Sequence, residues 1–186
     1  MHLLLAFAPF ILFVLIERLA GIPAGLAAGA GASAFLVIRD LLTPGRGIKL
    51  LELGTFFLFG LLTLYALAFN PPWSIAAVRL RVDAGLMLIV LASLALRQPF
   101  SLQYARDTVD RVHWDSPAFL HVNYVISAAW AIAFCMLVLA DIAMAYMPGL
   151  PHAAGIVVTV TALYAAAWFT GWYPEQRHMS AHSEQS

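Results

Sequence analysis

The sequence predicts an all-α integral membrane protein: a six-helix transmembrane bundle with a short interfacial amphipathic helix between the fourth and fifth spans. Three observations carry that expectation. Of 186 residues, 62% are hydrophobic and only 11% are charged, where a soluble domain carries about 45–50% and about 25%. The mean hydropathy is +0.85. The apolar residues are gathered into long runs broken by short charged or proline-containing segments, as a lipid-facing surface requires. The 10 basic and 10 acidic side chains cancel, so there is no general basic footprint for nucleic acid. The single cysteine, Cys135, excludes an internal disulfide framework and a multi-cysteine zinc site; mid-span, it reads as a small packing residue.

The spans follow in order. A membrane-crossing helix needs about 20 mostly apolar residues at about 1.5 Å each. The first run covers about Leu3 to Ile16 and stops at Glu17-Arg18; the second covers Ile22 to Ile38 and stops at Arg39-Asp40. The third covers Leu50 to Phe69, before Asn70-Pro71-Pro72. In the fourth, the uncharged part from Ala84 to Leu96 gives only roughly 20 Å of helix, so it must extend back through Asp83, Arg81 and Arg79 to about Ile75. The fifth covers Asn123 to Met147 and the sixth Ala153 to Tyr173, each closed by a proline that cannot continue a helical ladder. The first run has no Lys or Arg before it, so it reads as a retained helix and not a cleaved leader. Residues 1–174 form one helical transmembrane domain, and 175–186 a polar, disordered cytoplasmic tail.

With six spans, Arg39, Arg46, Lys49, Arg97, Arg106, Arg111 and Arg177 share one side, and Arg18, Arg79 and Arg81 the other. The excess of basic residues marks the cytoplasmic face, so both termini are expected there. Trp168, Trp172 and Tyr173 supply an aromatic anchor on that side, with Trp73 and Tyr146 opposite.

Two motifs concern helix contacts. Gly21, Gly25, Gly29 and Ser33 are spaced by four in the second span, a groove for close helix approach. Packing within the bundle is the first reading, homodimerisation the second. In the stretch 99–115, Leu102, Ala105, Val109 and Val112 recur on one helical face. Arg106, Asp107, Asp110 and Arg111 lie largely on the other, and Ser101 suits an N-cap. This reads as an amphipathic helix on the membrane surface, anchored by Tyr104 and Trp114. It serves either as a rigid connector or as a docking surface for a cytoplasmic partner.

Ionisable groups inside spans are costly, on the order of 3 kcal/mol each at mid-membrane, and mark functional sites by default. The outer half gathers Glu17, Arg18, Arg79, Arg81, Asp83, Asp141 and His152. The competing reading is a structural ion-pair cluster with snorkelling arginines. Glu52 is expected to pair with Lys49, three residues before it. His178 and His182 have helical spacing but no third ligand, no two histidines share a depth that would bind haem, and no catalytic triad or phosphate loop is present. No enzyme activity, metal or cofactor is expected.

The order of features resembles the bacterial intracellular septation protein A family of small inner-membrane proteins. Pro9-Phe10-x-x-Phe13 with a charged pair at the helix end is similar to that family's start. Phe59-Gly60-Leu61-Leu62-Thr63-Leu64 resembles its phenylalanine-glycine-glycine-leucine-threonine-leucine stretch, with Leu61 in place of the second glycine. Trp73 to Arg81, Pro99, Trp114, Asn123-Tyr124, Trp130 and the aromatic close before Arg177 match in position. Trp73-Ser74-Ile75 departs from the family's tryptophan-lysine-proline, and PFSLQYARD lies outside the pattern. The resemblance implies a bacterial inner-membrane protein with a non-enzymatic, structural role in envelope maintenance or division. Its partners would be lipids, envelope or division proteins, or a second copy. The alternatives are a small proton- or cation-coupled transporter or channel using Asp83 and Asp141, whose carboxyls would not both ionise readily in low dielectric, and an accessory subunit of a membrane complex.

Overall fold

The computed structural model describes residues 5–147 and 149–183, with the side chains of 152 and 176–183 outside the description. All regular structure among these residues is helical. The helices are α1 (Ala8–Ala20), α2 (Ile22–Leu42), α3 (Leu50–Phe69), α4 (Ile75–Ala95), a six-residue α5 (Phe100–Ala105), α6 (Pro117–Tyr146) and α7 (His152–Ser183). Four of them, α2, α3, α6 and the 153–175 part of α7, are long and apolar enough to cross a membrane. The other two expected spans differ from these in specific ways. α1 has 13 residues, about 20 Å of helix, and α4 is long enough but carries Arg79, Arg81 and Asp83.

The chain chemistry sets the boundaries. α1 ends where Gly21 adopts φ 87°, a left-handed conformation that glycine supplies without steric cost, and α2 starts at once with Pro23 in its first turn. α3 ends on Asn70 in the left-handed region. Ser74 caps α4, its Oγ accepting from the Ala77 N–H at 3.2 Å. Ser116 does the same for α6 through Phe119 at 3.3 Å, with Pro117 at the first helical position, where its missing N–H costs nothing. That cap starts α6 six residues earlier than hydropathy suggests.

α1 packs on α2 and α2 on α3; α4 packs on α6 and α6 on α7; α3 against α4 joins the two halves. One core centres on Trp130 and Phe134, the other on Phe13, Leu26 and Phe59. Phe7 stacks on Trp130 at 4.3 Å, and Phe10 meets Phe59 at 5.0 Å. Besides these apolar cores, the bundle buries polar groups and leaves large apolar ones outside. Leu19, Leu42, Leu61, Phe35 and Phe69 are exposed, while Ser33, Asp40, Glu52, Thr55, Ser93 and Ser127 are buried. Where no water reaches, polar groups must find partners inside. Ser33 donates to the Gly29 carbonyl at 2.9 Å, and Ser93 donates to Val90 at 2.7 Å while accepting from the Phe100 N–H at 3.2 Å.

Several expectations are corrected. No single helix covers 99–115: α5 ends at Ala105, a single 3-10 turn (Arg111–His113) follows, and Val112 is 89% exposed. Phe100, Ser101, Leu102 and Tyr104 are all buried, so this helix is a plug in the bundle and not an interfacial rod. Ser101 is no cap; its hydroxyl donates to the Asn123 carbonyl at 2.8 Å and meets Ser127 at 3.0 Å. α7 continues through Pro174 to Ser183. A proline forfeits one backbone bond in mid-helix, a loss this helix accommodates at its polar end, so the described part of the 175–186 tail is helical. Cys135 is exposed on α6 and packs in no core.

Candidate functional site

Charge inside the bundle gathers toward the two opposite ends of α3. At the end near Asn70, the site starts from glycine. Gly25 lacks a side chain on the face where α1 crosses, and a Cβ there would lie 2.8 Å from Glu17 Cβ and 2.9 Å from its Cα and N. The contact carries Glu17 into the bundle, where it is 4% exposed and neither carboxyl oxygen has a hydrogen-bond partner. Gly29 receives the Phe59 ring, 2.7 Å from where a Cβ would stand, and Ser33 is fully buried. This small-residue face is therefore taken up within the chain. Gly21, with nothing within 4 Å of a Cβ, serves the chain reversal instead.

Arg79, from α4, acts electrostatically on Glu17, Asp83 and Asp141. The Asp83 and Asp141 carboxyls are near enough to act on each other electrostatically. Arg79 Nε and Asp141 Oδ2 are inaccessible and unpartnered. Glu17 also lines a cleft of about 360 Å³ with Asn70, Trp73, Ile22 and Ile75, which gives the cluster an opening. The expected seven-residue group thus resolves into four. Arg18 is exposed. Arg81 is also exposed, its guanidinium 4.7 Å over the Trp73 ring and donating to the Ala77 carbonyl at 2.6 Å. His152 opens α7, but its side chain lies outside the described residues.

The other end holds a network that sequence reasoning missed. The fully buried Asp40 carboxylate takes Lys49 Nζ as donor and Arg39 Nη2 at 2.7 Å, with Arg46 at 3.7 Å. Lys49 also reaches Asp107 at 3.0 Å. Glu52 accepts from Arg39 at 3.4 Å and from the Tyr104 hydroxyl at 3.2 Å. Burial, reinforced by the neighbouring Glu52, pushes the Tyr104 hydroxyl well above the ordinary phenol range. Gln103 Oε1 accepts the first N–H of α3, from Leu50, at 2.7 Å. Lys49 does not form the expected pair with Glu52. It stands just before α3 with an extended backbone (φ −90°, ψ 136°), so the helical i, i+3 rule does not apply. The signal available in the sequence was the crowding of Arg39, Asp40, Arg46, Lys49 and Glu52 around one short loop. Asp107, Arg106, Asp110, Arg111 and Trp114 lie beyond α5 and, with the 43–49 loop, line a cleft of about 610 Å³. Among the described residues no group of three or more His, Cys, Asp or Glu could hold a metal ion.

No family model, curated protein or solved structure matches the chain.

Proposed function

We propose that this chain is a six-span protein of the bacterial inner membrane, with both termini cytoplasmic, that moves protons or small cations through Glu17, Arg79, Asp83 and Asp141. The observation that carries the reading is the set of buried, unpartnered atoms Glu17 Oε1 and Oε2, Asp141 Oδ2 and Arg79 Nε, with Asp83 near enough to Asp141 for the two carboxyls to act on each other. Two carboxylates are acceptors only, so contact between them is favourable when a proton or cation sits between them. Glu17, whose two carboxyl oxygens are unpartnered and which lines the cleft, supplies a first stop for a positive species, and Arg79 acts on all three carboxyls. Support for the six-span count comes from packing: α4 lies between α3 and α6, and α1 lies along α2.

The test is flux in liposomes. Purified protein is reconstituted with a pH-sensitive dye inside, and a proton, Na⁺ or K⁺ gradient is applied. Flux above that of empty liposomes, lost in Asp141→Asn and Asp83→Asn at equal incorporation, is the expected outcome. Wild-type liposomes no leakier than empty ones to all three ions would sink the proposal. A structural role in envelope maintenance or division would then lead. The observation favouring that second reading is the exposed segment 108–115, with Val112 89% exposed, and its test is in-cell crosslinking from those positions.

A further inference from the structure

We infer that the cleft between the α2–α3 loop and the segment after α5 binds a phosphate group, independently of any ion movement at the opposite end. Four basic side chains, Arg46, Lys49, Arg106 and Arg111, line it against two acidic ones, Asp107 and Asp110. Arg46 and Lys49 are already engaged with Asp40 and Asp107. Arg106 and Arg111 are not. Among the described residues neither has a carboxylate within ion-pair distance, and both guanidinium groups instead lie over the Trp114 ring, at 5.2 and 5.5 Å. Arg106 Nε is inaccessible and has no hydrogen-bond partner.

Arg106 and Arg111 are therefore opposed in the lining only by Asp110, which leaves a net positive charge in a cleft of about 610 Å³. Trp114 itself is fixed, its indole N–H donating to the Val109 carbonyl at 2.9 Å, so the ring that both guanidinium groups lie over is held in place. Arginine's planar fork matches phosphate oxygens in a way a carboxylate-rich or neutral ligand does not exploit. Opposite, the loop turns on Gly45, at φ 83°, and Gln98 and Gln103 add amide donors to the lining. A tryptophan beside arginines at the basic end of a membrane bundle sits at headgroup depth. The same chemistry would also hold a soluble phosphate ester.

The experiment uses the full chain in a neutral detergent and follows thermal unfolding against added ligand. The probes are dihexanoyl phosphatidylglycerol, dihexanoyl phosphatidylcholine and glycerol 3-phosphate. The expected result is a saturable rise in melting temperature with phosphatidylglycerol, a much weaker one with the zwitterionic lipid, and at least a tenfold rise in midpoint concentration in Arg106→Gln/Arg111→Gln. Arg111→Gln alone, at an exposed position, should still melt cooperatively and weaken binding. Asp110→Asn should tighten it. Glycerol 3-phosphate acting as well as the lipid assigns a soluble phosphate ester as the occupant. No rise with any probe, or equal midpoints in wild type and double variant, overturns the inference.

Discussion

Alanine at Gly25 and alanine at Gly31 are the same chemical change, six residues apart on the same helix, and should differ clearly in their effect on stability. Each gains about 1 kcal/mol of helix propensity, so that contribution cancels in the comparison. At Gly31 a Cβ meets nothing within 4 Å, whereas at Gly25 it would stand 2.8–2.9 Å from Glu17 Cβ, Cα and N. Carbon atoms settle at about 3.5–4.0 Å, so α1 must retreat by close to 1 Å, and the neighbour is backbone, with no rotamer to escape through. Overpacking of this kind costs about 1–3 kcal/mol. Gly31→Ala should therefore stabilise by about 1 kcal/mol, while Gly25→Ala falls below it by about 1–3 kcal/mol. At about 2–4 °C per kcal/mol for a chain of this size, the two melting temperatures separate by roughly 2–12 °C. Thermal unfolding of both purified variants in one detergent measures this directly. If Gly25→Ala melts at or above Gly31→Ala, α1 is not in backbone contact with α2 at Glu17, and the route by which Glu17 enters the bundle is wrong.

Three further outcomes follow from the basic-end network. Lys49→Met should destabilise by on the order of 3 kcal/mol, since it strips a cation from the fully buried Asp40 and from Asp107; chemical denaturation reads it, and near-wild-type stability would show the network to be dispensable. The unfolded chain releases the Tyr104 proton above about pH 10, whereas the folded chain holds it higher because burial and Glu52 disfavour the phenolate. The stability this contributes is complete below about pH 10 and is lost as pH rises past it. Melting temperatures should thus fall less steeply above pH 10 in Tyr104→Phe, and parallel curves would contradict the assignment. Ser101→Ala should cost about 1 kcal/mol through loss of the bond to Asn123 and the contact with Ser127, whereas Thr108→Ala on the exposed turn should cost a few tenths.

Hydropathy and breakers located most of the helices because lipid imposes one simple demand along a whole segment. α3 runs Leu50–Phe69 and α4 starts at Ile75, the bounds the residue pattern predicts. What failed shares one physical cause. The 99–115 reading assumed a helix with water on one side and lipid on the other, so spacing of Leu102, Ala105, Val109 and Val112 decided the face. Here the chain is surrounded by protein over Phe100–Tyr104, where Ser101 finds the Asn123 carbonyl, and periodicity carries no information about burial. The Asp40–Lys49 contact likewise crosses a loop and the Lys49–Asp107 contact joins residues far apart in sequence, which spacing rules confined to one helix cannot see. The outer cluster was legible only as a set of seven; the choice of Glu17, Arg79, Asp83 and Asp141 over Arg18 and Arg81 depends on helix rotation and on Trp73 capturing Arg81.

The two charged clusters differ in how many cations face their carboxyl groups. At the basic end each carboxylate has at least one cationic or hydroxyl partner: Arg39 and Lys49 for Asp40, Arg39 and Tyr104 for Glu52, Lys49 for Asp107, while Glu52 Oε2 has no hydrogen bond and Asp107 Oδ2 has only its ion pairs. This network ties α2 and α3 to α5 and the segment after it. At the other end one inward arginine faces three carboxyl groups, and oxygens of Glu17 and Asp141 are orphaned with Arg79 Nε. A group left uncompensated in the apolar part of a bundle costs on the order of 3 kcal/mol, and replacing it with an apolar residue would recover that stability. A chain that spends so few charges overall, yet leaves these three carboxyls short of partners, fits a site that takes up a positive species. The same geometry makes Gly25 more than a packing residue. It is the contact that puts Glu17 within the field of Arg79, so displacing α1 there should impair ion movement as well as stability, in parallel with Asp141→Asn.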